Sequence, residues 1–238
     1  MSTDHSIHEC PDGKSPVRPS AFFALLGRTQ LINRWSLMRN MWPENVQEHS
    51  FQTALIAQAL VFVREVYFPE NRPLLDPDRV LARALFHDVT EVITGDLPTP
   101  VKYHDESLRD AFRRLEDEAA NRMLALLPAD LRACYQPYVQ VITDVEAAAD
   151  FGDADAAEKE RLREARLIEE ETQRFIKLAD KISALIKCRL ETHQGNKEFE
   201  AAEGHTLDRI QAFNSPEAEF FIEMFLPDYL EPLDHYNV

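Results

Sequence analysis

One run of apolar residues with helical spacing, interrupted by ionisable side chains, constrains the fold of this chain more than any other segment. Asp76 followed by Pro77 is a typical helix N-cap with proline at the first helical position, and Gly95 is a natural stop. We therefore predict one helix between Asp76 and Gly95, with one face packed inward. Its apolar positions are Val80, Leu81, Ala84, Leu85 and Val92.

Three ionisable residues interrupt this apolar run: His87, Asp88 and Glu91. Glu91 follows His87 by four residues and Asp88 by three, so all three side chains can share one patch of helix surface. Burying a carboxylate and an imidazole among leucines costs several kcal/mol unless they are paired or bind a metal. The pattern alone leaves two interpretations, a polar patch paired with a nearby arginine or part of a metal site.

The composition favours one large all-α domain. The chain has 238 residues, enough to bury a substantial core, and it contains only six glycines. The formal net charge of −16 disfavours a nucleic acid polymer as partner, although a local basic pocket or a metal can still attract a small anion. Cys10, Cys134 and Cys188 are widely separated, so neither a disulfide framework nor a thiolate zinc site is indicated.

The sequence also predicts where the protein resides and how the chain is divided. No apolar run reaches transmembrane length and no signal-peptide core is present, so we expect no membrane partner and a cytoplasmic location. Residues 1–20 are predicted to be a flexible tail, residues 21–228 one domain, and residues 229–238 a C-terminal tail. Further helices are predicted over 21–26, 108–127, 131–141, 175–187 and 207–226.

An acidic surface insert is predicted at about 149–170. Residues 144–171 contain eleven Asp or Glu and four Lys or Arg. The pattern from 156 to 171 predicts a solvated helix extending from this insert. No calcium-binding loop of the D-x-D-x-D-G type is present, so we interpret the segment as charged surface.

Two segments could form the walls of a site beside the polar patch. Arg34 and Trp35 either fill core and form a surface ion pair, or present a bidentate fork to a phosphate with an indole against the sugar or base. The loop after Gly95 contains Pro98 and Pro100, which make it rigid and extended. It is either a stiff connector or a fixed lip of the site.

His49 and Asp180 each lie at a helical position that needs an explanation. Asn45 and Glu48 have the form of a capping box, and His49 falls in the first turn of the helix that they begin. A lone histidine there is usually a capping or solvent-facing group. Asp180 is a poor helix former within a strongly helical segment, where an ion pair with a nearby lysine is the ordinary explanation.

The order of these residues resembles that of the HD-domain metal-dependent phosphohydrolases. His49, then His87 with Asp88, then Asp180 follow the His…His-Asp…Asp order with which that superfamily holds a divalent cation. Flanking segments resemble, more closely, the bacterial 5′-deoxynucleotidases of the YfbR type, over roughly residues 21–228. These segments are Ile32–Arg39, Glu44–Ser50, His87–Glu91, Thr94–Lys102 and Ala179–Asp180.

The resemblance implies an HD-domain helical bundle, a homodimer that removes phosphate from deoxyribonucleoside 5′-monophosphates. It implies one divalent cation, and mixed nitrogen and oxygen ligands suit Co²⁺, Mn²⁺, Fe²⁺, Ni²⁺ or Zn²⁺ without choosing among them. The metal ligands it implies are His49, His87, Asp88 and Asp180. The substrate contacts it implies are Arg34, Trp35 and the loop Asp96, Leu97, Pro98 and Thr99, beside His49, Asp88 and Asp180.

The chemistry of phosphate ester hydrolysis suits these residue types independently. A phosphomonoester carries close to two negative charges at neutral pH, and a cation together with Arg34 would neutralise them. Glu91 is the best candidate for orienting or deprotonating water, with hydrogen bonding to His87 as its alternative role. Asp88 or Asp96 could instead act as the acid or base.

Other functions would require different residues at these positions. A zinc peptidase would need the motif H-E-x-x-H, whereas Glu91 stands four residues after His87. A non-catalytic HD-fold interaction protein is expected to lack some ligands or the Arg34–Trp35 pair. Within the hydrolases, the alternatives are a dNTP triphosphohydrolase, a cyclic-nucleotide phosphodiesterase and a (p)ppGpp hydrolase.

Overall fold

The computed structural model describes residues 19–71, 73–98, 105–140 and 155–236, and within them the regular structure is helical. The prediction of an all-α fold is confirmed. The α-helices are α1 Phe22–Leu26, α2 Val46–Tyr67, α3 Pro77–Leu85, α4 Glu91–Thr94, α5 Glu106–Ala125, α6 Ala129–Val139, α7 Ala156–His193, α8 Glu200–Gln211 and α9 Pro216–Phe225. The 3₁₀ helices are Gly27–Leu31, Lys197–Phe199, Pro227–Leu230 and Leu233–His235.

The starts of α2 and α3 follow from their capping residues. The Asn45 side chain accepts a hydrogen bond from the Glu48 backbone N–H, and the Glu48 side chain accepts one from the Asn45 N–H. The Asp76 side chain accepts hydrogen bonds from the N–H groups of Asp78 and Arg79, with proline at the first helical position. Both predicted helix starts are therefore confirmed, and they fix the entry of the two helices that flank the site.

Two apolar cores hold the helices together. The larger lies between α2 and α7 and is closed by α3, α8 and α9; it includes Leu60, Ala84, Leu178, Ile182 and Phe221. The smaller joins α1, α5 and α6 around Phe22, Val89, Met123, Leu124 and Val139. The side chain of Ala84 lies in the larger core and that of Val89 lies in the smaller core. The residues between them therefore pass from one core to the other.

The prediction of one helix from Asp76 to Gly95 is wrong, because α3 ends at Leu85 and α4 begins at Glu91. The backbone N–H of His87 donates to the Ala84 carbonyl at 3.3 Å, and the His87 Nδ1–H donates to the same oxygen at 2.7 Å. Ala84 therefore meets two donors from His87 where a regular helix would accept the N–H of Asp88. His87 and Asp88 consequently lie in a turn between two helices.

Two further boundaries differ from prediction. The segments predicted as separate helices at 156–171 and 175–187 form the single 38-residue helix α7. The predicted C-terminal helix over 207–226 is two helices, because Asn214 has φ +48 and the next helix begins at Ser215–Pro216.

Several expectations concern residues that the structure does not describe in full. Residues 1–18 of the predicted tail and residues 149–154 of the acidic insert lie outside the described residues. The remainder of the insert forms the first turns of α7, and residues 229–236 include 3₁₀ turns. The domain boundaries therefore stay predictions. Among the described helices, none combines the length and apolar character needed to cross a membrane.

Candidate active site

The four predicted metal ligands come from three parts of the fold and lie together. His49 is in the first turn of α2, His87 and Asp88 are in the turn after α3, and Asp180 is in the middle of α7. One ligand atom each of His49, His87 and Asp180 lies within 4.8 Å of the other two. Asp88 is outside that group, yet its Oδ2 lies 3.0 Å from His87 Nε2 and 3.7 Å from His49 Nε2.

The orientation of the His87 ring leaves Nε2 available as a ligand. A carbonyl oxygen can only accept, so the contact with Ala84 assigns the proton to Nδ1. Nε2 is buried and makes no hydrogen bond of normal geometry within the described residues, although Asp88 Oδ2 lies 3.0 Å away. A buried ring nitrogen in this state is what a cation site requires.

The His49 ring is fixed in the same tautomer by side chains from α2 and α7. Ser183 Oγ donates to Gln52 Oε1 at 2.7 Å and therefore accepts from His49 Nδ1–H at 3.1 Å. His49 Nε2 then faces Asp180 Oδ1 at 3.1 Å, with Thr53 Oγ1 at 3.4 Å. His49 is fully buried, so the interpretation of a solvent-facing or capping histidine is wrong.

These contacts test whether the residues fit a metal ion. The Nε2 atoms of two imidazole rings and the carboxylate oxygens of Asp88 and Asp180 converge on one point, as the ligands of a metal ion do. Neutral imidazole and ionised carboxylate are ligands that Mn²⁺, Fe²⁺, Co²⁺, Ni²⁺ and Zn²⁺ all accept. The residues present therefore fit a divalent cation.

Electrostatic surroundings set the protonation states of the ligands. Burial, followed by the charge of Arg34, lowers the pKa of His49 despite the opposing contact with Asp180. Burial also disfavours the charged form of His87, but the negative charges of Asp88 and Asp180 and the contact with the Ala84 carbonyl together outweigh burial, so the pKa of His87 is raised. His49 is thus a neutral imidazole at neutral pH, as metal ligation requires.

The carboxyl groups are ionised. Burial alone would raise the pKa of Asp88, but His87, His49 and Arg34 together outweigh burial, so that pKa is strongly lowered. Burial would likewise raise the pKa of Asp180, but Lys181 and His49 lower it well below its usual value. Lys181 Nζ lies 2.5 Å from Asp180 Oδ2, so Asp180 makes the expected lysine ion pair and also faces His49 through its other oxygen.

Arg34 reaches into the cluster and pairs there with carboxylates, as expected of the nearby arginine in the first interpretation, while its position also permits a phosphate contact. Its Nη1 lies 3.1 Å from Asp88 Oδ2 and its Nη2 lies 3.9 Å from Asp180 Oδ1. Its Nε donates to Glu44 Oε2 at 3.2 Å. Burial opposes the guanidinium charge, but these carboxylates outweigh it and raise the pKa of Arg34.

Trp35 lies beside Arg34 in a strained backbone conformation. Its φ is +56°, in the left-handed region where a bulky residue is rare. The indole Nε1 donates to Glu44 Oε2 at 3.0 Å, and the ring lies 5.4 Å from the Phe199 ring between centroids. Strain of this kind persists where surrounding contacts fix the residue, and it is concentrated at functional sites.

The remaining predicted site residues lie along α4 and the loop that follows. Glu91 is the first residue of α4, and its charge contributes to the raised pKa of Arg34. Gly95 ends α4 with φ +73°, and Asp96 follows it directly. Leu97 and Pro98 make no hydrogen bond to the cluster in the part of the chain that the structure describes. Thr99 lies outside that part.

Three residues around the site received no role from the sequence: Glu44, Ser183 and Lys181. Glu44 lies within one of the segments that carried the family resemblance, and Lys181 follows a predicted ligand directly. Ser183 follows Asp180 by three residues, which is a contact spacing on a helix. These spacings were the available signals, but which atoms meet depends on the packing of α2 against α7.

The chain is similar to known proteins over most of its length. A family model described as 5′-deoxynucleotidase YfbR-like matches residues 21–229. A 5′-deoxynucleotidase of Pasteurella multocida is 37% identical over 218 residues, which cover 92% of this chain and 98% of that protein.

Two solved structures share the fold. An HD-domain phosphohydrolase from Listeria innocua matches with a TM-score of 0.64 and 23% identity, covering 88% of each chain. An HD phosphohydrolase of cyanophage S-2L matches with a TM-score of 0.53 and 15% identity, covering 86% of this chain and 96% of that chain. The latter structure contains dA and one catalytic Zn²⁺ ion. The helical bundle described above is therefore of the HD-domain type.

Proposed function

Because the chain belongs to the YfbR-like 5′-deoxynucleotidase family, we propose that the cluster around His49 is where it hydrolyses deoxyribonucleoside 5′-monophosphates. The chain is an enzyme, a phosphohydrolase that produces a deoxyribonucleoside and phosphate. The observation that supports this site is the convergence of His49, His87 and Asp180 within 4.8 Å, beside the guanidinium of Arg34.

One divalent cation is held, in this proposal, by His49, His87, Asp88 and Asp180. When bound, such a cation supplies Lewis-acid stabilisation of the charge on the phosphoryl group. The site contains imidazole and carboxylate groups, which suit Co²⁺, Mn²⁺, Fe²⁺, Ni²⁺ or Zn²⁺. The contact of His49 with Ser183, and that of His87 with Ala84, support the ligand set because each directs an Nε2 lone pair into the cluster.

Arg34 and Glu91 are the proposed catalytic side chains, together with Asp88. Arg34 is proposed to bind the phosphate through its Nη1 and Nη2 edge, because Nε is already engaged by Glu44. Water supplies the oxygen that replaces O5′ on phosphorus, and a proton must reach the departing O5′. Glu91 is proposed to take the proton of the water, with Asp88 or Asp96 as alternative acid or base.

Trp35 is the proposed gate against ribonucleotides. Arg34 would bind the phosphate group, which is the same in ribonucleotides and deoxyribonucleotides, so Arg34 cannot discriminate between the two. An indole packed against C2′ leaves no room for a hydroxyl, and its polar Nε1–H is a donor already engaged by Glu44. Asp96, Leu97, Pro98 and Thr99 are proposed to complete the substrate contacts, next to His49, Asp88 and Asp180.

A second copy of the chain is the proposed partner. Helix α2 has an exposed apolar stripe at helical spacing, Phe51, Leu55, Phe62 and Val66, each between 46% and 67% exposed. The stripe continues into a cleft of about 450 Å³, which Phe225 and Tyr229 line with Leu55. Exposed apolar surface of this kind is typical of a protein interface. The cytoplasmic location expected from the sequence remains a prediction.

Phosphate release from dAMP, AMP, dATP and cyclic AMP, measured with each candidate metal, tests the proposed function. We expect metal-dependent release from dAMP, slower release from AMP, and none from dATP or cyclic AMP. Release of triphosphate from dATP, or opening of the cyclic ester, would instead favour one of the alternative hydrolases.

The ligand set is tested in the same experiment. His49→Ala should lose bound metal and activity together, since it removes one of the proposed ligands. His205→Ala, which changes an exposed histidine on α8, is the matched control. A His49→Ala protein with full metal content and turnover would reject the assignment.

A further inference from the structure

A single carboxylate oxygen links the two side chains proposed to bind the substrate. Glu44 Oε2 accepts a hydrogen bond from Arg34 Nε at 3.2 Å and another from Trp35 Nε1 at 3.0 Å. The side chains of Arg34 and Glu44 are each 12% exposed, so water competes weakly for these bonds. Hydrogen bonds to an ionised acceptor are about twice as strong as neutral ones.

The backbone holds Glu44 at a fixed distance from Arg34. Arg34 N–H donates to the Glu44 carbonyl at 2.9 Å, and Val46 N–H donates to the Ile32 carbonyl at 3.0 Å. Asn33 and Asn45 form an isolated antiparallel bridge between these bonds. Glu44 therefore meets Arg34 through both its backbone and its side chain.

The contact with Trp35 restrains a residue whose backbone is otherwise unfavourable. Trp35 has φ +56°, and its carbonyl accepts a hydrogen bond from Asn40 Nδ2 at 3.1 Å. The indole ring packs against the Phe199 ring in a tilted arrangement, and its N–H donates to Glu44. The indole plane is thus fixed from two directions, one of them electrostatic.

The Arg34 contact also decides which edge of the guanidinium is presented to the site. Glu44 occupies Nε, and Nη1 and Nη2 are turned toward Asp88 and Asp180. Without an acceptor at Nε, the planar group could rotate about its terminal bonds and present a different pair of donors.

We propose that Glu44 is a specificity-determining positioning residue, which holds the Arg34 fork and the Trp35 ring in one fixed relation. Phosphate bound by Arg34 then places the sugar at a constant distance from the indole, so a 2′-hydroxyl meets the ring. This inference rests on the roles proposed above for Arg34 and Trp35. Glu44 itself touches neither the substrate nor the cation in the proposal.

The test compares kcat/KM for dAMP and AMP in Glu44 variants. Glu44→Ala should lower the dAMP-to-AMP ratio by about tenfold or more, the usual effect of losing a hydrogen bond to a charged group. Bound metal should be unchanged, because Glu44 contacts none of the proposed ligands directly. Glu44→Gln keeps an acceptor oxygen at the same reach and should retain most of the ratio.

A double-mutant comparison isolates the contact with the indole. Trp35→Phe keeps an aromatic ring but removes the Nε1–H donor, so Glu44→Ala should change the ratio less in that background than in the wild type. Glu198→Ala is the matched control. Glu198 pairs with Arg39, which lies on the loop after Trp35, and among the described residues it makes no ion pair with Arg34. The ratio should therefore stay at the wild-type value.

Equal losses on dAMP and AMP in a folded, metal-loaded Glu44→Ala protein would overturn the inference. If that variant does not fold, Glu44→Asp replaces it, because the shorter carboxylate cannot reach both donors and should also lower the ratio. A wild-type enzyme without preference for dAMP, or an unchanged ratio in Trp35→Ala, would reject the proposed role of Trp35 as well. A changed ratio in Trp35→Ala with an unchanged one in Glu44→Ala and Glu44→Asp would reject the role of Glu44 alone.

Discussion

At the scale of single residues, Glu91 connects the turn that carries His87 and Asp88 to the short helix α4. We predict that Glu91→Gln lowers turnover by about 10²–10⁴-fold, the range expected for loss of a general base. Bound metal and KM for dAMP should stay close to wild type, because the amide keeps the size of the side chain. Metal content is measured by plasma mass spectrometry and turnover by phosphate release.

The same experiment distinguishes the alternative roles. If metal content falls in proportion to turnover, Glu91 supports the ligands and does not act on water. Asp96→Asn is the companion variant, since Asp96 is the other carboxylate proposed as acid or base near α4. A larger loss in Asp96→Asn than in Glu91→Gln would move that role to Asp96.

The predictability of the site differs from residue to residue. The ligand types and their order were visible in the sequence, because His87 and Asp88 interrupt an apolar run and are costly to bury without a partner. The role of Ser183 was not visible, because a serine on a helix is ordinary until α2 brings His49 against it. The role of Glu44 was not visible either, because Arg34 and Trp35 reach its side chain only after the chain between them has turned back.

At the scale of elements, one buried carboxylate fastens the loop that leads into α2. Glu191, near the end of α7, accepts hydrogen bonds from Met41 N–H at 2.9 Å and Trp42 N–H at 3.0 Å. Lys187, one turn earlier, pairs with Glu191 and also donates to the Trp42 carbonyl. The loop following Trp35 is thus attached to the same helix that carries Asp180.

This attachment predicts a dependence of stability on pH. Burial alone would raise the pKa of Glu191, but the hydrogen bonds from Lys187 and the loop lower it from 4.5 to about 2. Because the folded pKa is below the unfolded one, the stabilisation is complete above about pH 4.5 and is lost as the pH falls toward 2.

Glu191→Gln should therefore lower the free energy of unfolding at pH 7 by about 3 kcal/mol, since it leaves buried Lys187 without its counter-charge. The difference from wild type should shrink between pH 4.5 and 2. Urea unfolding at several pH values measures both effects, with exposed Glu200→Gln as control. A difference that stays constant with pH would contradict the prediction.

Helix starts were more predictable than helix continuity. The caps of α2 and α3 are local, so Asn45 and Asp76 identified them correctly. The break after Leu85 depends on the His87 side chain taking the Ala84 carbonyl, which periodicity does not report. The continuity of α7 was missed because a shift from acidic surface to buried core was interpreted as the border of two elements.

At the scale of the whole molecule, an acidic protein acts on an anionic substrate. The formal net charge is −16. Around the site, the positive charges of Arg34 and Lys181 are outnumbered by the carboxylates of Glu44, Asp88, Asp180 and Glu91. The side chains alone therefore do not attract phosphate. A divalent cation would cancel the excess negative charge and would offer the phosphate oxygens a direct ligand.

The proposed assembly gives a prediction at this scale. The double substitution Phe62→Glu with Val66→Glu places charges on the exposed stripe of α2, several turns from His49. We expect the wild type to be a dimer by analytical ultracentrifugation and the variant to be a monomer. The helical content of the variant by circular dichroism should match that of the wild type, because both substituted side chains are exposed.

Leu167→Glu is the matched control for this experiment, since Leu167 is also exposed but lies in the N-terminal half of α7. A monomeric wild type would reject the dimer. A variant that remains dimeric would place the interface on another surface.

The turn between α3 and α4 has a consequence for protein design. On a regular helix, side chains of adjacent residues point about 100° apart, and neighbours in sequence do not face each other. Here His87 Nε2 and Asp88 Oδ2 lie 3.0 Å apart and face one cluster, because the helix ends before them. A designer who copied the His-Asp dipeptide onto an uninterrupted helix would install one ligand and turn the other away. A design would therefore need to copy the dipeptide together with the helix end before it. It would also need the Ala84 carbonyl, which accepts the hydrogen bond from the His87 side chain.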